Sequence, residues 1–352
     1  MNMTNEDIGK LHAAKLARWT LILIILGLAL FASIVLTLCI GSVYIPPAKV
    51  FSILFGGVSS TDPDNTIIMN IRLPRILLGA LVGASLSVAG VAMQGIFKNP
   101  MASPSVIGIS QGAAFGAALV IVFGISFTSG SLAIPSMAFV FALGTMFLVY
   151  VLSKVEGYVP TTTLLLAGIA VGAFFSALVA LLQFVVSTIQ GRPMDSVVFW
   201  LMGGLNHANW EQVWIVLPFL LVGGLLMMFF ARDLNAMILG ESHASSLGVD
   251  PQRTIKVMLL GSSLVTAAAV AFAGIIAFVG LIIPHIMRMI IGPDNRVLFP
   301  AALLAGAIFM IWTDTVARAA FPSEIPVGII TAILGGPFFL WLLRRKREAT
   351  EW

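Results

Sequence analysis

Long apolar runs constrain this chain more than any other feature of its sequence. Ten runs of about 17 to 24 residues carry almost no charge, and 59% of the 352 residues are hydrophobic. A hydrocarbon layer about 30 Å thick needs about 20 apolar residues to cross it. Backbone polar groups in lipid must be satisfied internally, so each run predicts a membrane-spanning helix. The runs are Trp19–Ile40, Ile76–Phe97, Val106–Phe127, Leu132–Leu152, Thr163–Val186, Val213–Phe230, Ile255–Ala273, Ile275–Ile291, Val297–Ala317 and Val327–Leu343.

The sequence thus predicts an all-α polytopic membrane protein with about ten transmembrane helices, forming a single domain over residues 1–352. The first run follows Lys10, Lys15 and Arg18. It is too long for the apolar part of a signal peptide and lacks a small-residue cleavage site, so we interpret it as a retained span. A shorter patch, Ser196–Leu205, is predicted to be a re-entrant or interfacial helix, and Trp200 suits an interface.

Lysine and arginine positions predict the orientation. With both termini inside, 14 of the 19 basic residues lie on the cytoplasmic side, as the positive-inside rule requires. Residues 1–18 then form a cytoplasmic segment. Ala89-Gly90 before Pro100 and Ala273-Gly274 before Pro284 share one spacing, which suggests inverted-repeat character, although chance recurrence explains it equally well. The same orientation puts Arg72 and Arg75 outside, against the general trend.

Several function classes are disfavoured by what the spans and loops contain. Asp314 is the single acidic residue clearly inside a span, whereas ion-coupled carriers usually need intramembrane ionisable groups. Asp314 lies four residues before Arg318, so we expect a local ion pair. The sequence has no GxxxxGK[ST] loop, so the chain is not expected to bind ATP through a Walker A motif of its own. The four histidines and Cys39 are scattered, and no metal site, cofactor or nucleic-acid partner is predicted.

The longest polar inner segment runs from Arg232 to Arg253. It contains a short amphipathic stretch, then Gly240 and Gly248. This pattern fits either an ordinary surface loop or a rigid knob for a cytoplasmic partner.

The run RLPRILLGALVGASLSVAGVAMQGIFKNPMASP resembles the signature of the FecCD family, the iron-chelate and vitamin B12 permeases of binding-protein-dependent ABC importers. The resemblance continues through TTTLLLAGIAVG, VFWLMGGL, LGESHASSLGV, FVGLIIPHIMR, DTVAR and EIPVGIITAILGGPFFLWLL, in the family's order. It implies a permease subunit with no enzymatic activity of its own, in the cytoplasmic membrane. Its implied partners are a second permease copy, two ATP-hydrolysing subunits and an extracytoplasmic binding protein.

The resemblance also implies roles for particular residues. Arg72, Arg75 and Arg318 on the outer rim would dock acidic residues of the binding protein, although anchoring to lipid phosphate is the alternative for exposed arginines. Asn99, Met101, Thr161, Thr162 and Thr163 would form the cytoplasmic gate. The segment 232–253 would couple to the ATPase, through Leu239, Gly240, Glu241, Ala244, Leu247 and Gly248.

The implied mechanism is alternating access, driven by ATP on the partner subunits. Iron bound to a siderophore or in haem is the first expected cargo and cobalamin the alternative, with a molybdate-type oxyanion or an ion-coupled carrier behind them. No residue selects one cargo, and the sequence does not decide between a homodimer and a heterodimer.

Overall fold

A computed structural model of the protein describes residues 5–41, 43–57, 62–188, 194–320 and 324–346. These residues form fifteen α-helices and no named β-strand. The helices are α1 (Asn5–Cys39), α2 (Pro47–Leu54), α3 (Pro63–Thr66), α4 (Leu73–Ile96), α5 (Ile109–Phe123), α6 (Ala133–Ser153), α7 (Thr161–Thr188), α8 (Met194–Met202), α9 (Trp210–Phe229), α10 (Ala231–Ile238), α11 (Glu241–Ser246), α12 (Pro251–Ala273), α13 (Val279–Ile291), α14 (Asn295–Ala319) and α15 (Val327–Lys346).

The ten predicted spans match ten of these helices. In the described part of the chain, seven helical segments are long and apolar enough to cross a membrane, and α5, α13 and α15 are shorter apolar helices. The predicted all-α membrane fold is therefore confirmed. Two helix starts differ from the prediction, because apolar runs do not mark where a helix begins. Helix α1 begins well before Trp19, and α13 starts only at Val279, after an irregular segment that follows Gly274.

Helix α4 is the central element. Nearly every residue from Pro74 to Ile96 is buried, and α14, α12, α13 and α9 pack around it. Glycines allow this close approach: a Cβ at Gly83 would lie 2.1 Å from the Gly306 carbonyl oxygen of α14, and one at Gly90 would lie 1.9 Å from that of Gly280 in α13. The small residues of α4 thus serve close helix packing, as in other membrane bundles.

Helix α8 occupies the predicted re-entrant patch and ends on a junction of glycines. The Gly204 N–H donates to the Ala273 carbonyl oxygen at 2.8 Å. A Cβ on Gly274 would clash with the Trp200 carbonyl oxygen, and one on Gly328 with that of Met202. This junction ties α8 to the end of α12 and to the start of α15.

Candidate functional site

The outer end of the molecule holds the three arginines of the predicted docking rim. Residues Ile67–Arg72 form a π-helical turn that continues directly into α4. Arg72 ends this turn and Arg75 follows it in α4. Both side chains point into the protein interior, and each residue is less than a tenth exposed. In the single chain these two arginines are therefore buried, and the docking role of Arg72, Arg75 and Arg318 stays a prediction.

Arg72 satisfies the end of α1. Its Nη1 donates to the Leu38 carbonyl oxygen at 2.6 Å, and its Nη2 donates to that of Val43. Arg318, at the end of α14, donates from Nη2 to the Thr37 carbonyl oxygen at 2.9 Å. The last carbonyl groups of a helix have no partner within the helix and favour a nearby cation. Two guanidinium groups thus cap the outer end of α1.

Arg75 joins two acidic residues that are distant in sequence. It donates to Asp314 from Nε and Nη2 at 2.9 to 3.1 Å, and from Nη1 to Glu324 at 2.8 and 3.1 Å. The Asp314 side chain is 2% exposed, whereas that of Glu324 is 42% exposed. The predicted pair of Asp314 with Arg318 is present at 3.9 Å, but the close partner of Asp314 is Arg75. Spacing along one helix could not reveal a contact 239 residues away.

All three arginines and Glu324 line one small cavity of about 160 Å³ beside Gly41. The Nε of Arg318 is buried and has no hydrogen-bond partner among the described residues. Five charged side chains meet at this end, three cationic and two anionic, so the cluster keeps a net positive charge. We call Arg72, Arg75, Asp314, Arg318 and Glu324 the outer charge cluster.

The residues of the predicted gate lie on two separate segments. Asn99 and Met101 lie in the turn after α4, where the Met101 N–H donates to the Asn99 Oδ1 at 3.0 Å. Thr161, Thr162 and Thr163 form the first turn of α7. Asn99 and Thr162 are exposed, and the other three are half-buried. Further along, the 3-10 turn Pro104–Ile107 packs on α7, where a Cβ at Gly168 would lie 2.8 Å from Ile107 Cα. Their gating role stays a prediction.

Residues 232–253 form two short helices separated by a turn. Gly240, with a φ of 117°, separates α10 from α11, and Gly248, with a φ of 83°, follows α11. Leu239 and Leu247 are each 68% exposed, Glu241 is exposed, and Ala244 is fully buried. The geometry therefore fits the rigid knob better than an irregular loop, and the coupling role of these residues remains a prediction.

The base of this knob is fixed by polar contacts that the sequence analysis did not find. Asn235 of α10 donates from Nδ2 to Asp294 Oδ1 at 2.8 Å and accepts at Oδ1 from the backbone N–H and side chain of Asn295. Asp294 caps α14 through the Arg296 N–H. The Arg296 guanidinium, and then Asn235, lower the pKa of Asp294 to about 2. Only the Asp-Asn pair before an apolar run could have hinted at the cap.

Among the described residues, no group of three or more His, Cys, Asp or Glu side chains could hold a metal ion. The fold and these segments define a polytopic α-helical permease. The chain belongs to the FecCD transport family, whose sequence model matches residues 27–345. It is a permease of the ABC importer class, and a multi-pass membrane protein.

Two relatives show the range of this family. The cobalamin import system permease protein BtuC of Halobacterium salinarum is 48% identical over 81% of this chain and 75% of its own length. The hemin transport system permease protein HmuU of Yersinia pestis is 41% identical over 82% of this chain and 86% of its own. A solved structure described as a metal-chelate type ABC transporter in an inward-facing conformation has a TM-score of 0.81 at 35% identity, covering 92% of this chain and 99% of that one.

Proposed function

We propose that this chain is the permease subunit through which an ABC importer takes up a large metal chelate. The match to the FecCD family over residues 27–345 carries the proposal. The two permeases described above are named for the import of cobalamin and of hemin. Both are metal-centred macrocycles, so the pathway must be wide and must not hold its cargo tightly.

Cobalamin is the first cargo to test, and an iron chelate is the second. The resemblance alone favours the opposite order, with an iron chelate first. The 48% identity to the cobalamin permease favours the change, since the hemin permease reaches 41% over a similar share of the chain.

The importer is proposed to contain two copies of this chain in the cytoplasmic membrane, with the pathway between them. Two ATPase subunits bind α10 and α11 from the inside, and an extracytoplasmic binding protein delivers the cargo. The exposed leucines on either side of Ala244 suit a groove on the ATPase.

Transport follows an alternating-access cycle. ATP draws the two ATPase subunits together, the coupling helices move with them, and the pathway opens alternately to each side. Asn99, Met101 and Thr161 to Thr163 close the inner end below the cargo. Their partial exposure in the single chain leaves them available to a second copy.

The outer charge cluster is proposed to organise the surface on which the binding protein docks. The three arginines are bonded to other groups of the chain. They would therefore influence the binding protein through the cavity that they line and through Glu324, which is partly exposed. The net positive charge favours an acidic partner and speeds its encounter.

The test is uptake into proteoliposomes that contain the permease, its ATPase and its binding protein, with labelled cobalamin, ferrichrome and hemin supplied in parallel. We expect one of the three chelates to be taken up, and this uptake should require ATP, the ATPase and the binding protein together. Uptake by the permease alone, following an ion gradient, would contradict the proposal.

A further inference from the structure

A polar contact that has no assigned role lies between α10, in the predicted coupling segment, and the start of α14. The contact joins α10, which is proposed to bind the ATPase, to α14, which runs from the inner to the outer end of the molecule. Asn235 lies within the predicted coupling segment 232–253, but neither it nor Asp294 has an individual role so far. Its side chain bonds to Asp294 and Asn295, at the start of α14, and not to the exposed leucines proposed to meet the ATPase.

Both polar atoms of the Asn235 side chain take part in this contact. Its amide nitrogen donates to Asp294 Oδ1 at 2.8 Å, and its amide oxygen accepts from the Asn295 backbone at 2.9 Å and from the Asn295 side chain at 2.8 Å. Asp294 also receives two hydrogen bonds from Arg296 Nε and one from Nη2. Charge-assisted bonds of this kind are short and hold a fixed geometry. With a pKa of about 2, Asp294 is ionised at neutral pH and the contact stays intact.

The rest of α10 is held just as closely. Leu234 and Met237 are fully buried, and a Cβ at Gly95 of α4 would lie 2.7 Å from the Leu234 side chain. Apolar packing of this kind resists separation but tolerates sliding. The three bonds of Asn235 fix the position of α10 along α14, which packing alone does not do.

Helix α14 continues this connection to the outer end. It packs along α4 with its Gly306 against Gly83, and its last turns carry Asp314 and Arg318. A displacement of α10 that is passed to Asn295 therefore reaches the outer charge cluster through one continuous helix of 25 residues. At 1.5 Å per residue, that helix is roughly 37 Å long.

We propose that Asn235 is a positioning residue that transmits movement of the coupling helices to α14, through Asp294 and Asn295. This inference rests on the proposed importer function. It concerns how force passes through the permease and not which cargo is carried. Coupling between distant sites requires an element whose position both sites influence, and α14 is that element.

The test measures the inner and the outer response separately. The full complex with its ATPase is placed in nanodiscs, with a spin label at Ala319→Cys in a C39A background. Ala319 is exposed at the outer end of α14, and the two copies report one distance between the labels. In the otherwise unchanged complex, trapping ATP with vanadate should shift this distance.

In N235A we expect ATP hydrolysis to stay within about twofold and the distance shift to be lost. Uptake should fall at least about fivefold, the lower end of common coupling effects. N235D should behave alike, because it sets a second carboxylate against Asp294. The double variant N235D/D294N restores one donor and one acceptor and should restore the shift, which a purely destabilising loss would not do.

N209A is the matched control, because Asn209 caps α9 through the Gln212 N–H and, among the residues that the structure describes, its side chain has no hydrogen bond to a second helix. It should keep the full shift. If N235A folds poorly, N235S retains a short polar group and serves in its place. A full shift in N235A or N235S overturns the inference, as does failure of the double variant to restore it. If the labelled complex that keeps Asn235 shows no ATP-dependent shift, that result counts against the proposed importer cycle instead.

Discussion

At the residue scale, the outer arginines show how cations near hydrocarbon are accommodated. Each finds its acceptors within the chain: Arg72 and Arg318 at the end of α1, and Arg75 at two carboxylates. Charged groups in membrane helices are costly unless they are paired in this way. These arginines therefore hold α1, α4 and α14 together, and any docking role would be additional to this structural one.

Replacing Arg75 with alanine should destabilise the permease strongly. The substitution leaves the Asp314 carboxylate, which is 2% exposed, without its close partner. Breaking a buried pair from one side typically costs about 3–5 kcal/mol. Thermal unfolding of R75A in detergent should show the loss as a clearly lower midpoint than that of the unsubstituted permease.

The double substitution R75M/D314N is the informative companion. It removes both charges and keeps similar volumes, so it should recover most of the lost stability. If the double variant is less stable than R75A, the attribution to an unpaired buried carboxylate is wrong.

At the scale of elements, glycine contacts set how closely the helices approach. A methyl group at Gly83 would lie 2.1 Å from a backbone carbonyl oxygen of α14, so one helix would have to shift. Gly27 of α1 has nothing within 4 Å of the same position. The two glycines therefore separate packing effects from effects of backbone flexibility.

We expect G83A to reduce the yield of folded permease, with a cost of about 1–3 kcal/mol or more from overpacking. G27A should be tolerated or slightly stabilising, because alanine favours a helix over glycine. The monodisperse fraction in size-exclusion chromatography measures the difference. Equal yields would show that α4 and α14 separate without cost.

Gly248 gives a second prediction at this scale. Its φ of 83° favours glycine or asparagine, and a Cβ there would meet no neighbouring atom. G248N should therefore keep ATP hydrolysis linked to uptake, while the β-branched G248V should strain the turn after α11 and lower the uptake per ATP. The ratio of phosphate released to cargo imported measures this effect. Identical ratios for the two variants would remove the turn from the coupling segment.

At the scale of the whole molecule, the proposed pathway needs two copies. Cys39 is the only cysteine in the sequence and is buried, so a C39A background allows single thiols to be placed at will. Thr162 is exposed in the first turn of α7, and Lys154 is exposed in the loop before it.

If the gate residues of two copies meet, T162C should form a disulfide between the copies on mild oxidation, and cross-linking should stop ATP-driven uptake until a reductant is added. K154C should cross-link far less and leave uptake unchanged. Gel mobility and uptake are measured on the same sample. Free uptake through a fully cross-linked T162C permease would exclude this turn from the gate.

The sequence predicted the spans well because each requires about 20 apolar residues, a signal carried within one segment. The sequence predicted the pair of Asp314 with Arg318, but it did not predict that Arg75 contacts Asp314 and Glu324. Arg75 meets Asp314 and Glu324 only after α4, α14 and the segment before α15 have assembled. The contact of Asn235 with Asp294 is equally non-local, and a single asparagine in a polar loop gives no pattern that would identify it.

The capped end of α1 has a consequence for how the protein can be processed. Were the first helix cleaved off as a leader peptide, Arg72 would lose the Leu38 carbonyl oxygen and Arg318 would lose that of Thr37. A mature form trimmed ahead of residue 40 should consequently misassemble, and adding the missing helix back as a separate polypeptide should rescue it.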